Sequence, residues 1–458
     1  MTDHTIRGFG GPENRPNWDL ERYRAQPGTI VESNPDRVRP IHPEYTAEGW
    51  VLFWMSLRMA LWSILTLGIY RFWMITKLRR HYWGGITLRG DPLEYTGRPI
   101  EKLLGFLLAM VFLAIYLGLV QLGLTFIGFS VISDDETVAN LALNLGLLAT
   151  LPLIFFAQYR AMRYMLSRTR WRGIRFGLEP GAWGYMLRAM LYSLLTLFTA
   201  GLAYPYQHFK LAKYMTDRAW FGDRQFHQEG SWISLFASWI WIYILGGFIA
   251  LSLFTFSQAT AESDTMSLLI GALIYFVSVV MFYLTIIRYR FHAFKMLWSS
   301  KTLGEDIDFE SEMKVSNAVG VFLTGSIVTS IATTVTVILA AGVIALLFWA
   351  VGQDESVAVF QSIMTGTKSA EEIVLEAIEN PAISVVVGGL VAMYLLVLIV
   401  VFAIGQVFFT HRILRRKVDT MVVHNPNALS QSQQRAHDSA AEAGGFADAL
   451  GVDVGAGF

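Results

Sequence analysis

Cysteine is absent from all 458 residues. Disulfides, thiolate nucleophiles and cysteine-ligated metals are thereby excluded together. Charge is also scarce: Asp, Glu, Lys and Arg make up 16% of the chain, against about 25% in a typical soluble domain. The 36 basic and 36 acidic residues cancel. Net charge therefore gives no argument for nucleic acid or acidic substrates, and no nucleic-acid partner is expected. The opening segment, Met1 to Glu48, is polar and dotted with proline. It has no apolar core followed by a small-residue cleavage site, so no signal peptide is expected. Catalytic signatures are missing too. There is no Walker loop, no dinucleotide fingerprint, no G-x-S-x-G and no HExxH. His81, His208, His292 and His411 each follow an apolar run, but no two share the i,i+4 spacing of a metal pair. A non-enzymatic protein without cofactor or metal is expected.

What the chain has is apolar length: 54% of its residues are hydrophobic and 14% aromatic. About 20 apolar residues cross a bilayer as a helix. Runs of that kind lie at 103–132, 138–158, 231–257, 266–287, 317–351 and 382–409. They are apolar all round, which suits lipid rather than one face of a soluble core. No Asp, Glu or His lies in the middle of any of the six, which argues against an intramembrane carboxylate relay. Gln121, Asn140, Asn144, Gln158 and Gln258 are expected to hydrogen-bond between helices. Two further runs, 49–70 and 182–206, are long enough but each contains an arginine.

Lysine and arginine set the expected orientation, because cytoplasmic loops retain them. Residues 71–102, 159–180, 207–230, 288–315 and 412–417 are basic. The connections at 133–138, 258–265 and 352–381 are acidic, with Lys368 their one base. If 182–206 crossed the membrane, the basic loops on either side of it would face opposite sides. The simpler reading is that 49–70 and 182–206 enter and leave on one side. Gly201 and Pro205 supply a break in the second run. The expected fold is an all-α polytopic membrane protein with six full transmembrane helices and two re-entrant or interfacial segments. Both termini are expected in the cytoplasm of a bacterial inner membrane.

An internal repeat accompanies this pattern. Leu57-Arg58 through Leu67 matches Leu187-Arg188 through Leu197, sharing the arginine and S-x-L-T-L. After a small insertion, Gly68 meets Gly201, Lys77 meets Lys210 and Gly97 meets Gly230. The polar stretches 84–97, 171–181, 220–230 and 301–312 each read as a short β-hairpin. Together they are expected to form a small cytoplasmic β-layer. The resulting division is a polar N-terminal segment (1–48), a first membrane repeat (49–181), a second (182–316), a transmembrane hairpin (317–420) and a disordered tail (421–458).

The run Ile64–Tyr70, Phe72-Trp73, Arg79-Arg80, Tyr82, Thr87, Gly90 and Gly97 resembles the YjgN family of bacterial inner-membrane proteins, also called domain of unknown function 898. A weaker copy is Leu194–Leu197, Gly201, Pro205-Tyr206, Phe226 and Gly230. The resemblance covers roughly 50–420. It departs from the family pattern at Phe72, where proline is expected, and at Tyr206, where tryptophan is. It implies a membrane location and no established activity.

Arg58 and Arg188 are the candidate site, because an ionisable group in an apolar segment is costly. Guanidinium geometry suits phosphate or carboxylate. Alternatively both snorkel to the interface. The expected function is binding or moving an anionic lipid or small solute at the cytoplasmic leaflet. The alternative is a scaffold presenting the β-layer to a protein partner such as a membrane protease.

Overall fold

The computed structural model describes residues 40–131, 135–257, 265–351 and 380–435, with isolated positions between 365 and 378. Gln258, Lys368, most of the acidic connections and the terminal segments 1–39 and 436–458 lie outside the described residues.

Among the described residues, six helices are long and apolar enough to cross a bilayer, over Pro99–Ser130, Asn144–Ser167, Ile233–Ser257, Leu268–Ser299, Val315–Val343 and Ile383–Asp419. They correspond to the six runs read from sequence. Their helices are α3 (Pro99–Val131), α4 (Asp135–Leu148), α5 (Leu151–Ser167), α8 (Ile233–Ser257), α9 (Thr265–Ser299), α10 (Val315–Val351) and α11 (Pro381–Gly405). On α3, Leu104, Leu108, Ile115, Leu119, Leu122 and Phe126 are all exposed. Apolar area on that scale belongs in hydrocarbon, where leaving it uncovered costs nothing. The second crossing is interrupted at Ala149–Thr150, ahead of Pro152, and the Tyr116 hydroxyl donates to the Ala149 carbonyl at 3.0 Å. The carbonyl freed by the break is thus satisfied.

The runs at 49–70 and 182–206 form helical hairpins instead. The first joins α1 (Gly49–Leu65) to α2 (Arg71–Gly84), the second α6 (Ala182–Phe198) to α7 (Tyr204–Thr216). Their tips are built alike. Leu67 and Gly68 have φ of 50° and 89°, and Ala200 and Gly201 have 50° and 93°. In each tip a threonine hydroxyl donates to the carbonyl four residues back at 2.8 Å, Thr66 to Trp62 and Thr199 to Leu195. It then accepts from the backbone N–H of Tyr70 or Ala203. Left-handed backbone at Gly68 and Gly201 is where glycine is needed to reverse the chain.

These tips correct the sequence alignment. The units 49–95 and 182–228 match at a constant offset through both helices and both following strands, with no insertion. Arg58 therefore aligns with Leu191, and Arg188 with Met55. The two arginines are not equivalent, and Arg188 lies three residues, about one helical turn, farther from its tip. Leucine recurrence every three to four residues made the shifted match look good.

The four β-hairpins are present and join into one sheet. β1 (Glu44–Tyr45), β2 (Ile86–Leu88), β3 (Asp91–Tyr95), β4 (Thr169–Trp171), β5 (Ile174–Leu178), β6 (Ala219–Phe221), β7 (Arg224–Gln228), β8 (Lys301–Leu303), β9 (Ile307–Ser311) and β10 (Met421–Val423) pair antiparallel in chain order. An all-α description thus understates the fold. The sheet curves until its ends meet: Ile41 exchanges backbone hydrogen bonds of 3.0 and 2.9 Å with Val423, while Glu44 and Tyr45 pair with Thr87 and Ile86. That one bridge ties the first and last strands together and partly covers edges that would otherwise invite aggregation. Alternation sends Leu93, Trp171, Phe221, Leu303 and Ile307 to one face, where they form a single core cluster.

The expectation of a disordered tail fails for residues 421–435. After β10, a 3₁₀ turn over Ala428–Gln431 buries Ala428 and Leu429 in the apolar cluster of the sheet. Side chains around it reach all four hairpins. Arg89 donates to Asn427 at 2.6 Å, and Asn425 to the Asp306 carbonyl at 3.1 Å. The Gln433 N–H donates to Asp223 at 3.0 Å, and the Arg175 N–H to Gln434 at 2.8 Å. Gly222 lets the Gln433 carbonyl pass where any Cβ would clash.

Candidate functional site

Every helical hairpin and every pair of candidate spans starts and ends on this sheet. β5 and β6 pair directly, Phe176 opposite Phe221, so the α6–α7 hairpin between them leaves the sheet and returns to it. Arg188 sits on the sheet-proximal half of α6.

Its guanidinium is exposed, as is that of Arg58. Each donates to the carbonyl four residues earlier, Arg188 to Gly184 at 3.0 Å and Arg58 to Trp54 at 3.3 Å. Helical side chains lean toward the N-terminus, so both reach toward the sheet end of their helix. The structure does not bring the two together: α1 packs on α2 and α11, and α6 on α5 and α7.

Arg188 has company that the sequence did not flag. Tyr214 of α7 is buried, and its hydroxyl donates to the Gly181 carbonyl at 3.0 Å. The Arg188 Cζ lies 4.8 Å from the centre of that ring, and the Arg218 Cζ lies 3.8 Å from it. Gly184 leaves the room: a Cβ there would stand 2.5 Å from the Tyr214 hydroxyl. Beside them, Arg163 donates to the Leu178 carbonyl at 3.1 Å, and Tyr159 to the Glu179 carbonyl at 2.6 Å. Glu179 is the nearby carboxylate, 4.0 Å from Arg435. The arrangement is a cationic patch fixed by aromatic contacts, able to take an anion with bidentate oxygens. A tyrosine two residues before the end of a basic helix was the signal available in sequence.

The histidines separate. His208 is hydrogen-bonded to the Tyr289 hydroxyl at 3.1 Å, and His292 to the Ser234 carbonyl at 3.2 Å. His411 is buried, its ring 5.2 Å from that of Tyr45. It closes a π-helical turn, Gln406–His411, which periodicity could not reveal. Burial pulls the His81 and His208 pKa values below the usual 6.5. No group of three or more His, Cys, Asp or Glu able to hold a metal occurs among the described residues. Of the embedded polar side chains, Gln158 accepts from Tyr185 across helices at 3.5 Å. Asn144 bonds within its own helix, to the Asn140 carbonyl at 2.8 Å, and not between helices as expected.

A multi-helix membrane architecture in which each helical hairpin and each pair of candidate spans begins and ends on one sheet is the class these elements define. The chain belongs to the family of bacterial proteins of unknown function DUF898, whose model matches residues 42–449, and is thus an integral membrane protein of the YjgN family. The inner membrane protein YjgN of Salmonella typhimurium is 27% identical over 175 residues, covering 35% of this chain and 40% of that relative. This chain thus spans less than half the length of that relative. No solved structure matches.

Proposed function

We propose that this protein is a multi-pass inner-membrane protein that binds the phosphate of an anionic lipid through Arg188 and Arg218. The observation that carries this reading is the convergence of two guanidinium groups on one buried tyrosine, at the root of a helical hairpin. The hairpin dips into the leaflet and returns, its exposed tip residues Leu197 and Phe198 placed in hydrocarbon. Because the connections at the sheet end are the basic ones, that leaflet is the cytoplasmic one. Arg58, with one carbonyl contact on α1, serves as an interfacial anchor and a weaker contact to the same leaflet.

Binding is favoured over transport. A groove of about 420 Å³ follows α10, lined by Thr329, Ser330, Thr333, Thr334, Val337 and Ile338, and none of these residues belongs to a helical hairpin. The scaffold alternative, with a partner such as a membrane protease, is the weaker reading, because the apolar face of the sheet is already filled by Ala428 and Leu429. Native mass spectrometry of the full chain in neutral detergent tests the proposal. Phosphatidylglycerol is expected to bind more tightly than phosphatidylcholine, and R188Q/R218Q to weaken it about tenfold. Equal binding by that variant would overturn the reading.

A further inference from the structure

The first and last elements of the folded chain meet around two histidines. His411 closes the π-helical turn Gln406–His411, which leads through α12 (Arg412–Asp419) to β10. It is only 7% exposed, and its ring packs edge-on to that of Tyr45 on β1, with 5.2 Å between centres. A Cβ on Gly49 would stand 3.5 Å from its Nε2, so the start of α1 runs against it. His81 of α2 is half-buried and faces the carbonyl of Glu48, the residue before Gly49. Both rings thus converge on the start of α1. Beside them the Tyr82 hydroxyl donates to the Gln406 Oε1 at 2.7 Å. The Tyr45–His411 and Tyr82–Gln406 contacts cross from the N-terminal elements to the C-terminal ones, as the Ile41–Val423 bridge does.

The polar atoms of this junction are unpartnered. His81 Nε2, His411 Nδ1 and the Tyr45 hydroxyl are all buried and make no hydrogen bond to any described residue. A neutral imidazole nitrogen there forgoes one acceptor contact. A protonated one adds a buried N–H and a full charge with nothing to receive either, which costs far more. The charged side chains facing the pair are Arg412 and Arg415 of α12, both cationic, with Arg415 held by Asp419 at 3.4 Å. Each ring also meets the other as a like charge. Glu44 and Glu48 are exposed, and Tyr45 and Tyr82 are neutral phenols. Over Val315–Val351, α10 has no titratable side chain; α11 has only Tyr394, and α1 only Arg58, which is turned to the Trp54 carbonyl. Burial holds the His81 pKa below 6.5. Opening the junction returns it to the ordinary value, so falling pH favours the open form.

We propose that His81 and His411 form a proton-operated latch, in which protonation of either ring parts the N-terminal elements from the C-terminal ones and opens the Ile41–Val423 bridge. Buried histidines at an interface convert a proton into a change of packing. The π-helical turn suits that role, because its bonding is one residue out of α-helical register and resets locally. The latch answers to acidification on the sheet side of the membrane, and its opening exposes the facing edges of the first and last strands. None of its residues belongs to the Arg188 patch, so the two readings fail independently.

Amide hydrogen exchange of the full chain in neutral detergent, corrected for the intrinsic effect of pH on exchange, tests this directly. Between about pH 7.5 and pH 5.5, peptides covering 41–46 and 421–423 are expected to exchange about fivefold faster or more, while β5 and β6 stay within about twofold. Equal exchange at the two values, or the same acceleration in β5 and β6, would overturn the latch. The H81Q/H411Q variant is expected to lose the response, and H208Q, which removes a buried histidine elsewhere, to keep it. Protection of β5 and β6 at the higher pH reports whether the double variant is folded. Should it not be, H81Q alone, at the half-buried ring, is expected to reduce the acceleration by about half. A folded variant of either kind that responds as the parent does would overturn the proposal.

Discussion

At the scale of single residues, charge and burial set the testable behaviour. His81 and His208 have folded-state pKa values below 6.5 because burial disfavours their charged forms. As pH falls through 6.5 the unfolded chain takes up protons first, so stability is full above that value and declines below it. The thermal midpoint in detergent is expected to drop between about pH 7 and pH 5, and His208→Gln to flatten that dependence. Individual residues were unevenly legible. Arg188 stood out because an arginine in an apolar run is rare. Tyr214 and Arg218 did not, because a basic aromatic helix reads equally well as an interfacial anchor.

At the scale of elements, the helical-hairpin tips and the C-terminal strap carry the next predictions. A Cβ at Gly201 would meet both a left-handed backbone and the Tyr243 hydroxyl at 2.6 Å, whereas at Gly68 it would meet open space. Gly201→Ala is expected to cost about 1–3 kcal/mol, and Gly68→Ala less, in thermal unfolding in detergent. Leu429→Ala should cost about 2–4 kcal/mol, because its side chain fills the sheet's apolar cluster. Faster amide exchange in β6 and β7 would report the loosened cap, and unchanged exchange would count against it. The β-hairpins were legible because glycine turns flanked by alternating residues are local signals. The strap was not. Its Asn, Gln and Ser residues look like solvated tail, and their value lies in backbone and side-chain partners on four separate hairpins. The π-helical turn at Gln406–His411 was invisible for the related reason that it interrupts no hydrophobic pattern.

At the scale of the whole molecule, the single sheet makes orientation a matter of connectivity. A reporter fused at Asp217 is expected on the same side as one after Lys417, since both positions adjoin the sheet, and a reporter at Ser257 on the other side. A split result for the first pair would remove the re-entrant reading of 182–206. The six spans were legible from apolar length alone. The sheet's curvature and closure were not, because the pairing of Ile41 with Val423 links the two ends of the folded chain and leaves no local trace.

That pairing has a consequence for biosynthesis. The segment at Ile41 emerges from the ribosome first among the described residues, and its partner on β10 emerges after all six candidate spans. The nascent sheet therefore carries an unfinished seam throughout membrane insertion. Non-local closure of this kind is slow, because the loop entropy is lost before the contact forms. A chain released early would carry an open strand edge, recognisable to quality-control proteases. Supplying the C-terminal piece separately should then restore the seam and with it the lifetime of the protein.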